Sequence, residues 1–313
     1  MEVRILKRNV LLGYLCVSLS AVFWGAIPIF SRQLYATGCT PQQVSSTRSY
    51  LAALISLFAL IFFRRIRQVR LKDIPYFLFY GIFAIGLTFF FYATSTHLLP
   101  TAMAAILLYT GPAFVNILNR VFYKDPITRV KLIALVCTFC GCALVVRVYD
   151  FNSLKSNLVG IVIGLLSGLC YSMTTVLSRK ADAVYTGKTK AWLIMLFGSL
   201  PFFLIQPPYK IVVYSAKQFE LFAFLAIIGS FIPYTLYLHG LDYGIDEGSA
   251  SIVATVEPVA ATIFGVIVFG DRLEIIQLIG ILIVLAGVTL PIFYDKARRS
   301  GRQDKTVNIQ RDK

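Results

Sequence analysis

Two ionisable residues stand inside long apolar stretches of this chain, Glu257 and Arg48. A charged group at bilayer depth costs about 2.5–3.5 kcal/mol on insertion scales, so each needs a structural or a functional reason. Around Glu257, helical steps of three, four and seven give Ala250, Val253, Ala254, Ala261 and Phe264. This mostly small face lets a backbone or a solute come close. A carboxylate there binds a cationic group or a coupling proton; the alternative is a capped or paired carboxylate near a helix start, beside Pro258. Arg48 follows Ser45, Ser46 and Thr47. Its guanidinium either clamps a carboxylate through two hydrogen bonds or snorkels to the interface. If both line one cavity, they suit a zwitterion such as an amino acid.

Aromatic and polar residues recur at helical spacing. Ser20, Trp24 and Pro28 form one stripe, Ser167, Tyr171, Thr174 and Ser178 a second, and Ala102, Ala105, Tyr109, Pro112 and Asn116 a third. Thr88 with Tyr92, and Tyr234 with Tyr237, mark two more segments. Aromatic faces take cations and rings, and hydroxyls orient polar groups. Trp24, Tyr92, Tyr109, Asn116, Tyr171, Tyr234 and Tyr237 therefore join Arg48 and Glu257 as candidate substrate-binding residues, with interhelix packing or interface anchoring as the other reading. Pro112 and Pro258 interrupt helical hydrogen bonding and are candidate hinges.

Other chemistry has little support. Only His97 and His239 are present, and no carboxylate–histidine cluster accompanies them. There is no glycine-rich lysine motif for nucleotides. The run Cys137-Thr138-Phe139-Cys140-Gly141-Cys142 reads as small, soft residues packing inside a helix rather than a metal or redox motif. Of six cysteines only Cys39 falls in an expected loop, so no disulfide framework is implied. No enzyme activity, metal or cofactor is expected.

The elements that must position these residues follow from composition. The 313 residues are 58% hydrophobic and only 14% charged. A soluble domain is about 25% charged. A membrane span needs about 20 apolar residues, and ten candidates are found: 10–30, 43–63, 74–94, 101–122, 130–148, 158–177, 191–205, 219–238, 249–269 and 275–293. The seventh, with Pro201, has the weakest pattern. The first, preceded by Lys7 and Arg8, is too long for a signal-peptide core. Helices are expected, because backbone amides in lipid must be satisfied within the span.

The two halves repeat. Pro112 and Pro258 differ by 146, as do Asp125 and Asp271, and Gly141 and Gly287. Near the start of each half the offset is 147: Gly13 with Gly160, Ser20 with Ser167, Trp24 with Tyr171, Arg32 with Arg179. This reads as a duplicated five-helix unit, residues 1–150 and 151–295, followed by a basic tail at 296–313. An odd number of spans inverts the second copy. With the N-terminus inside, 23 of the 30 basic residues fall on the inner side and 6 on the outer, with Arg48 inside a span. The bias places both termini in the cytoplasm of a plasma-membrane protein. The net charge of +15 thus belongs to membrane topology rather than nucleic-acid binding.

At these residues the chain resembles the drug/metabolite transporter superfamily, EamA type. The resemblance rests on the duplication, on Gly111-Pro112…Asp125 and Glu257-Pro258…Gly270-Asp271-Arg272-Leu273, and on the ending Leu278-Ile279-Gly280…Leu285-Ala286-Gly287. The family usually carries Glu where this chain has Asp125 and Asp271, a conservative departure. The resemblance implies a transporter of metabolites or drugs, often an exporter of amino acids or related solutes. The expected fold is all-α and membrane-integral. The expected function is secondary transport by alternating access, with a small-molecule substrate, the bilayer and a coupling proton or ion as partners. A membrane scaffold or sensor is the alternative.

Overall fold

The computed structural model describes residues 9–148, 157–210 and 215–311, with side chains described as far as residue 297. Arg4, Lys7 and Arg8 of the charge argument, the 150/151 boundary, Lys155 and the side chains of the basic tail beyond residue 297 lie outside the described residues. Within them the chain is helical, with no β-strand. Nine stretches are long and apolar enough to cross a bilayer. They are α1 (Val10–Ala36), α2 (Pro41–Phe62), α3 (Leu71–Leu98), α4 (Thr101–Tyr123), α6 (Leu158–Ala181), α7 (Gly187–Ile205), α8 (Ala216–Leu241), α9 (Glu247–Phe269) and α10 (Ile275–Ala297). The fifth expected span is α5 (Arg129–Val145), at 17 residues a little shorter than the others. The backbone of α10 continues as one helix to Arg311.

Local sequence sets the starts. Thr40 caps α2 in a reciprocal capping box with Gln43, and Thr128, Asn157, Ser215 and Asp246 cap α5, α6, α8 and α9 through side-chain oxygens. Two boundaries depart from the hydropathy reading for a visible reason. α1 extends beyond residue 30, because Pro28 opens a second helical segment after a break at Ala26. α7 begins before residue 191, because Lys190 is fully buried, its ammonium bonded to Ser178 and Asp182. An inward lysine breaks the apolar pattern without breaking the helix.

The outer surface carries Leu54, Phe58, Phe62, Ile267 and Leu282, each at least 60% exposed. That is the inverse of a soluble protein's surface and matches a lipid environment. Helix approach follows the repeat. Gly141 of α5 lies against Val284 of α10, and Gly287 of α10 lies against Thr138 of α5. Gly141 and Gly287 are repeat mates, and so are Thr138 and Val284, so the pseudo-two-fold relation passes between α5 and α10. Likewise Gly13 meets Ile245 and its mate Gly160 meets Leu99. The cysteine run packs in this α5–α10 seam: Cys137 lies beside Gly287, Cys142 is buried, and Cys140 is exposed.

Both third helices of the repeats contain a π-helical turn, at Ile82–Leu87 and Ile227–Phe231. Both fourth helices break at their proline. In α4 the helix restarts as Gly111–Tyr123, and in α9 as Glu257–Phe269 after a short 3-10 turn. The candidate hinges Pro112 and Pro258 thus sit in the first turn after each break.

Candidate functional site

A cavity of about 610 Å³ lies between the repeats. Its walls come from α1 (Trp24, Ile27, Pro28), α2 (Arg48), α3 (Thr88, Phe89, Tyr92), α4 (Ala105, Tyr109), α6 (Tyr171), α8 (Tyr234) and α9 (Glu257, Pro258, Ala261). It reaches the half-exposed Arg32 and Asp271 at one end of the bundle, where Arg147 and Arg272 also line it. The opposite end, near Asp125, is closed.

Arg48 is held rather than free to snorkel. Its Nε donates to Ser230 Oγ at 2.5 Å and one terminal nitrogen donates to the Gly229 carbonyl. The guanidinium lies over the Phe89 ring, 4.4 Å from its centroid. Gly229 and Ser230 belong to the π turn of α8. Such turns often mark functional sites. A guanidinium has five N–H groups, so these two bonds leave three for a ligand.

Glu257 lines the same cavity. Among the described residues no side chain hydrogen-bonds or ion-pairs with its carboxylate, and Arg48 is the cation whose field reaches it. Glu257 is the repeat mate of Gly111, and a Cβ at Gly111 would meet Tyr171 at 2.7 Å. One repeat fills this place with an aromatic ring and the other leaves it to a carboxylate. The α1–α9 approach that brings them together depends on Gly25, where a Cβ would meet Ala260, the Ala261 amide and the Glu257 carbonyl at 2.6–2.9 Å.

Trp24 forms the floor, edge-on to Tyr171 at 6.0 Å and Tyr234 at 5.1 Å and tilted against Tyr237 at 5.6 Å. Seven of the nine residues picked from sequence line the cavity: Trp24, Arg48, Tyr92, Tyr109, Tyr171, Tyr234 and Glu257. Two do not. Tyr237 is 2% exposed below Trp24, its hydroxyl shared with Thr175 at 2.7 Å. Asn116 is 3% exposed at the closed end, its amide donating to the Pro112 carbonyl. Helical spacing put both on the right stripe but at the wrong depth. Thr88 and Gln277 line the cavity as well. Thr88 carried a sequence signal beside Tyr92, whereas nothing in the sequence marked Gln277. The described residues contain no group of three or more side chains fit to hold a metal.

The EamA-like transporter family model matches residues 11–147 and 158–293, once in each half. The chain belongs to the EamA-like transporter family. An uncharacterized transporter of Clostridium kluyveri is 22% identical over 305 residues, covering 95% of this chain and 97% of that protein. An uncharacterized transporter of Archaeoglobus fulgidus is 32% identical over 197 residues, 60% of this chain and 66% of its own. The uncharacterized inner membrane transporter YicL of Salmonella typhimurium is 23% identical over 298 residues. A solved crystal structure superposes with a TM-score of 0.77 over 91% of this chain and 98% of its own, at 13% identity, a likeness of fold. This EamA-like transporter is thus a multi-pass, all-α membrane protein with two repeats.

Proposed function

We propose that this EamA-like transporter is a secondary exporter of small amphipathic metabolites, with amino acids the favoured class, working by alternating access. One observation carries the reading. A partly held guanidinium and an unpartnered carboxylate face the same aromatic-walled cavity, which is open toward one end of the bundle and closed at the other. Arg48 offers a carboxylate the N–H groups its own contacts leave over, and Glu257 offers an ammonium group its oxygens. Trp24, Tyr109 and Tyr171 supply flat apolar faces for the remainder of the solute. The charge bias of the loops supports a plasma-membrane protein with both termini in the cytoplasm. In that orientation the cavity faces outward, where an exporter releases its solute. Glu257 also suits a coupling proton.

The experiment is counterflow in proteoliposomes with labelled amino acids, amines, sugars and nucleotide-sugars, comparing wild type with Glu257→Gln. Amino-acid counterflow that weakens in the variant is the expected result. Counterflow of sugars alone, or silence across the panel from folded protein, overturns the substrate class.

A further inference from the structure

The two ends of the molecule carry the same crossing of α4 and α9 in different states. At the closed end the Asn119 amide donates to Glu247 Oε2 at 3.2 Å, and the Asn116 amide reaches the Gly248 carbonyl at 3.5 Å. Shifted by the repeat offset of 146, Asn116 and Asn119 become Thr262 and Gly265, while Glu247 and Gly248 become Thr101 and Ala102. All four mates line the cavity. Thr262 bonds back to the Pro258 carbonyl at 2.9 Å, as Asn116 does to the Pro112 carbonyl at 2.9 Å. Among the described residues no hydrogen bond joins Thr262 or Gly265 to Thr101 or Ala102. The crossing is shut at one end and parted around the cavity at the other.

The side chains fit that relation. A Cβ at Gly248 would meet Asn116 Oδ1 at 2.3 Å. At the parted end the glycine's mate is Ala102 and the asparagine's mate is the shorter Thr262. Glycine faces asparagine at one gate and alanine faces threonine at the other, so each pair has room to close.

We infer that these residues are the transporter's two gates: Asn116 and Asn119 against Glu247 and Gly248 at one end, Thr262 and Gly265 against Thr101 and Ala102 at the other. One closes as the other parts. The assignment rests on the alternating-access reading above. It excludes a more conspicuous candidate. Arg32–Asp271 (2.8 Å) and Arg179–Asp125 (2.7 Å) are also repeat mates, each with an aromatic ring, Phe269 or Tyr123, under its guanidinium. Both are formed in this one state, at the open end and the closed end alike. They staple each repeat's first helix to the other repeat's fourth, and each stapled pair moves together.

The gates are unequal. Lys131 Nζ pairs with Asp246 at 2.8 Å beside the closed gate. Their mates at 146 residues' offset are Gln277 and Pro100, which cannot form an ion pair. Lys131 and Asp246 are therefore positioning residues that make the state with the Asp125 end closed the resting one.

The test uses full-length protein with its six cysteines replaced by serine, reconstituted in proteoliposomes. A membrane-impermeant maleimide reads the reactivity of Thr262→Cys. Gly248→Ala drives the closed gate apart and is expected to slow that labelling several-fold; Lys131→Gln slows it less. In separate variants, a disulfide between Asn119→Cys and Glu247→Cys keeps Thr262→Cys reactive. A disulfide between Thr101→Cys and Gly265→Cys forms only where the first pair is unlinked, so this arm decides even if Gly248→Ala fails to fold. Formation of both disulfides in one molecule, or unchanged Thr262→Cys labelling in folded Gly248→Ala protein, overturns the assignment. Counterflow by the unlinked protein is measured alongside. Transport without reciprocal labelling refutes the gates alone, and reciprocal labelling without transport refutes the transport reading alone.

Discussion

Replacing Arg48 by lysine separates recognition of a carboxylate from mere charge. Arg48 gives one N–H to Ser230 and one to the Gly229 carbonyl, leaving three over the cavity. Lysine keeps the positive charge but offers a compact ammonium on a flexible stem, with no planar fork. It can satisfy one of the two α8 acceptors and donate once to a solute carboxylate. The lost second bond to that carboxylate is charge-assisted and contributes about 1.5–3 kcal/mol. At about 1.4 kcal/mol per factor of ten, affinity falls about tenfold to hundredfold or slightly more. Loss of the stacked guanidinium over Phe89 costs about 0.5–2 kcal/mol more. That part belongs to the fold and shows in the thermal midpoint, not in selectivity. The assay is counterflow KM for a transported amino acid and for the matching amine, which lacks the carboxylate. Arg48→Lys should raise the first about tenfold to hundredfold and leave the second nearly unchanged. An equal loss for both solutes would falsify the carboxylate assignment and leave Arg48 a structural residue.

Three further outcomes follow from packing and charge. Lys190→Met strands Asp182 and removes a fully buried cation. Breaking a buried pair costs about 3–5 kcal/mol, moderated here because Asp182 is partly exposed. The thermal midpoint in detergent should drop, and Asp182→Asn in the same chain should restore part of it. Gly187→Ala places a Cβ 2.0 Å from the Leu238 carbonyl oxygen, a backbone atom that cannot swing aside, whereas Gly38, at φ +88°, has open space around it. Gly187→Ala should therefore destabilise by more than about 1–3 kcal/mol and Gly38→Ala by about 1 kcal/mol, as read by thermal unfolding. For Asp246, burial pushes the carboxyl up, but the Lys131 ammonium and the Ser249 amide more than offset it and hold the group below its usual range. A lowered value in the folded state means stability present above the ordinary carboxylate value near about pH 4 and lost as pH falls through the folded value. The difference in thermal midpoint between wild type and Asp246→Asn should stay constant from about pH 5 to 8 and shrink in more acid buffer.

The sequence alone set much of this molecule, because the information is linear. A run of apolar residues long enough for lipid is a span whatever surrounds it. A near-constant offset, 146 between Pro112 and Pro258 and 147 between Arg32 and Arg179, declares the duplication before any folding. It also marked Arg48 and Glu257, since a charge in an apolar run is conspicuous at any rotation. Depth and direction were not legible. Lipid is as apolar as the protein interior, so a span carries little amphipathic signal to say which face looks inward. That is why Asn116 and Tyr237 fell on the correct stripes yet outside the cavity, and why Gln277 went unmarked. The same limit hid Lys190, whose ammonium is stabilised by Asp182 and Ser178 from a neighbouring segment. Above all, the repeat offset names which residues of the α4–α9 crossing are mates, not which of the two pairs is in contact. Only tertiary packing decides which copy of the α4–α9 crossing is shut, because that depends on Lys131 reaching Asp246 in the other half of the chain.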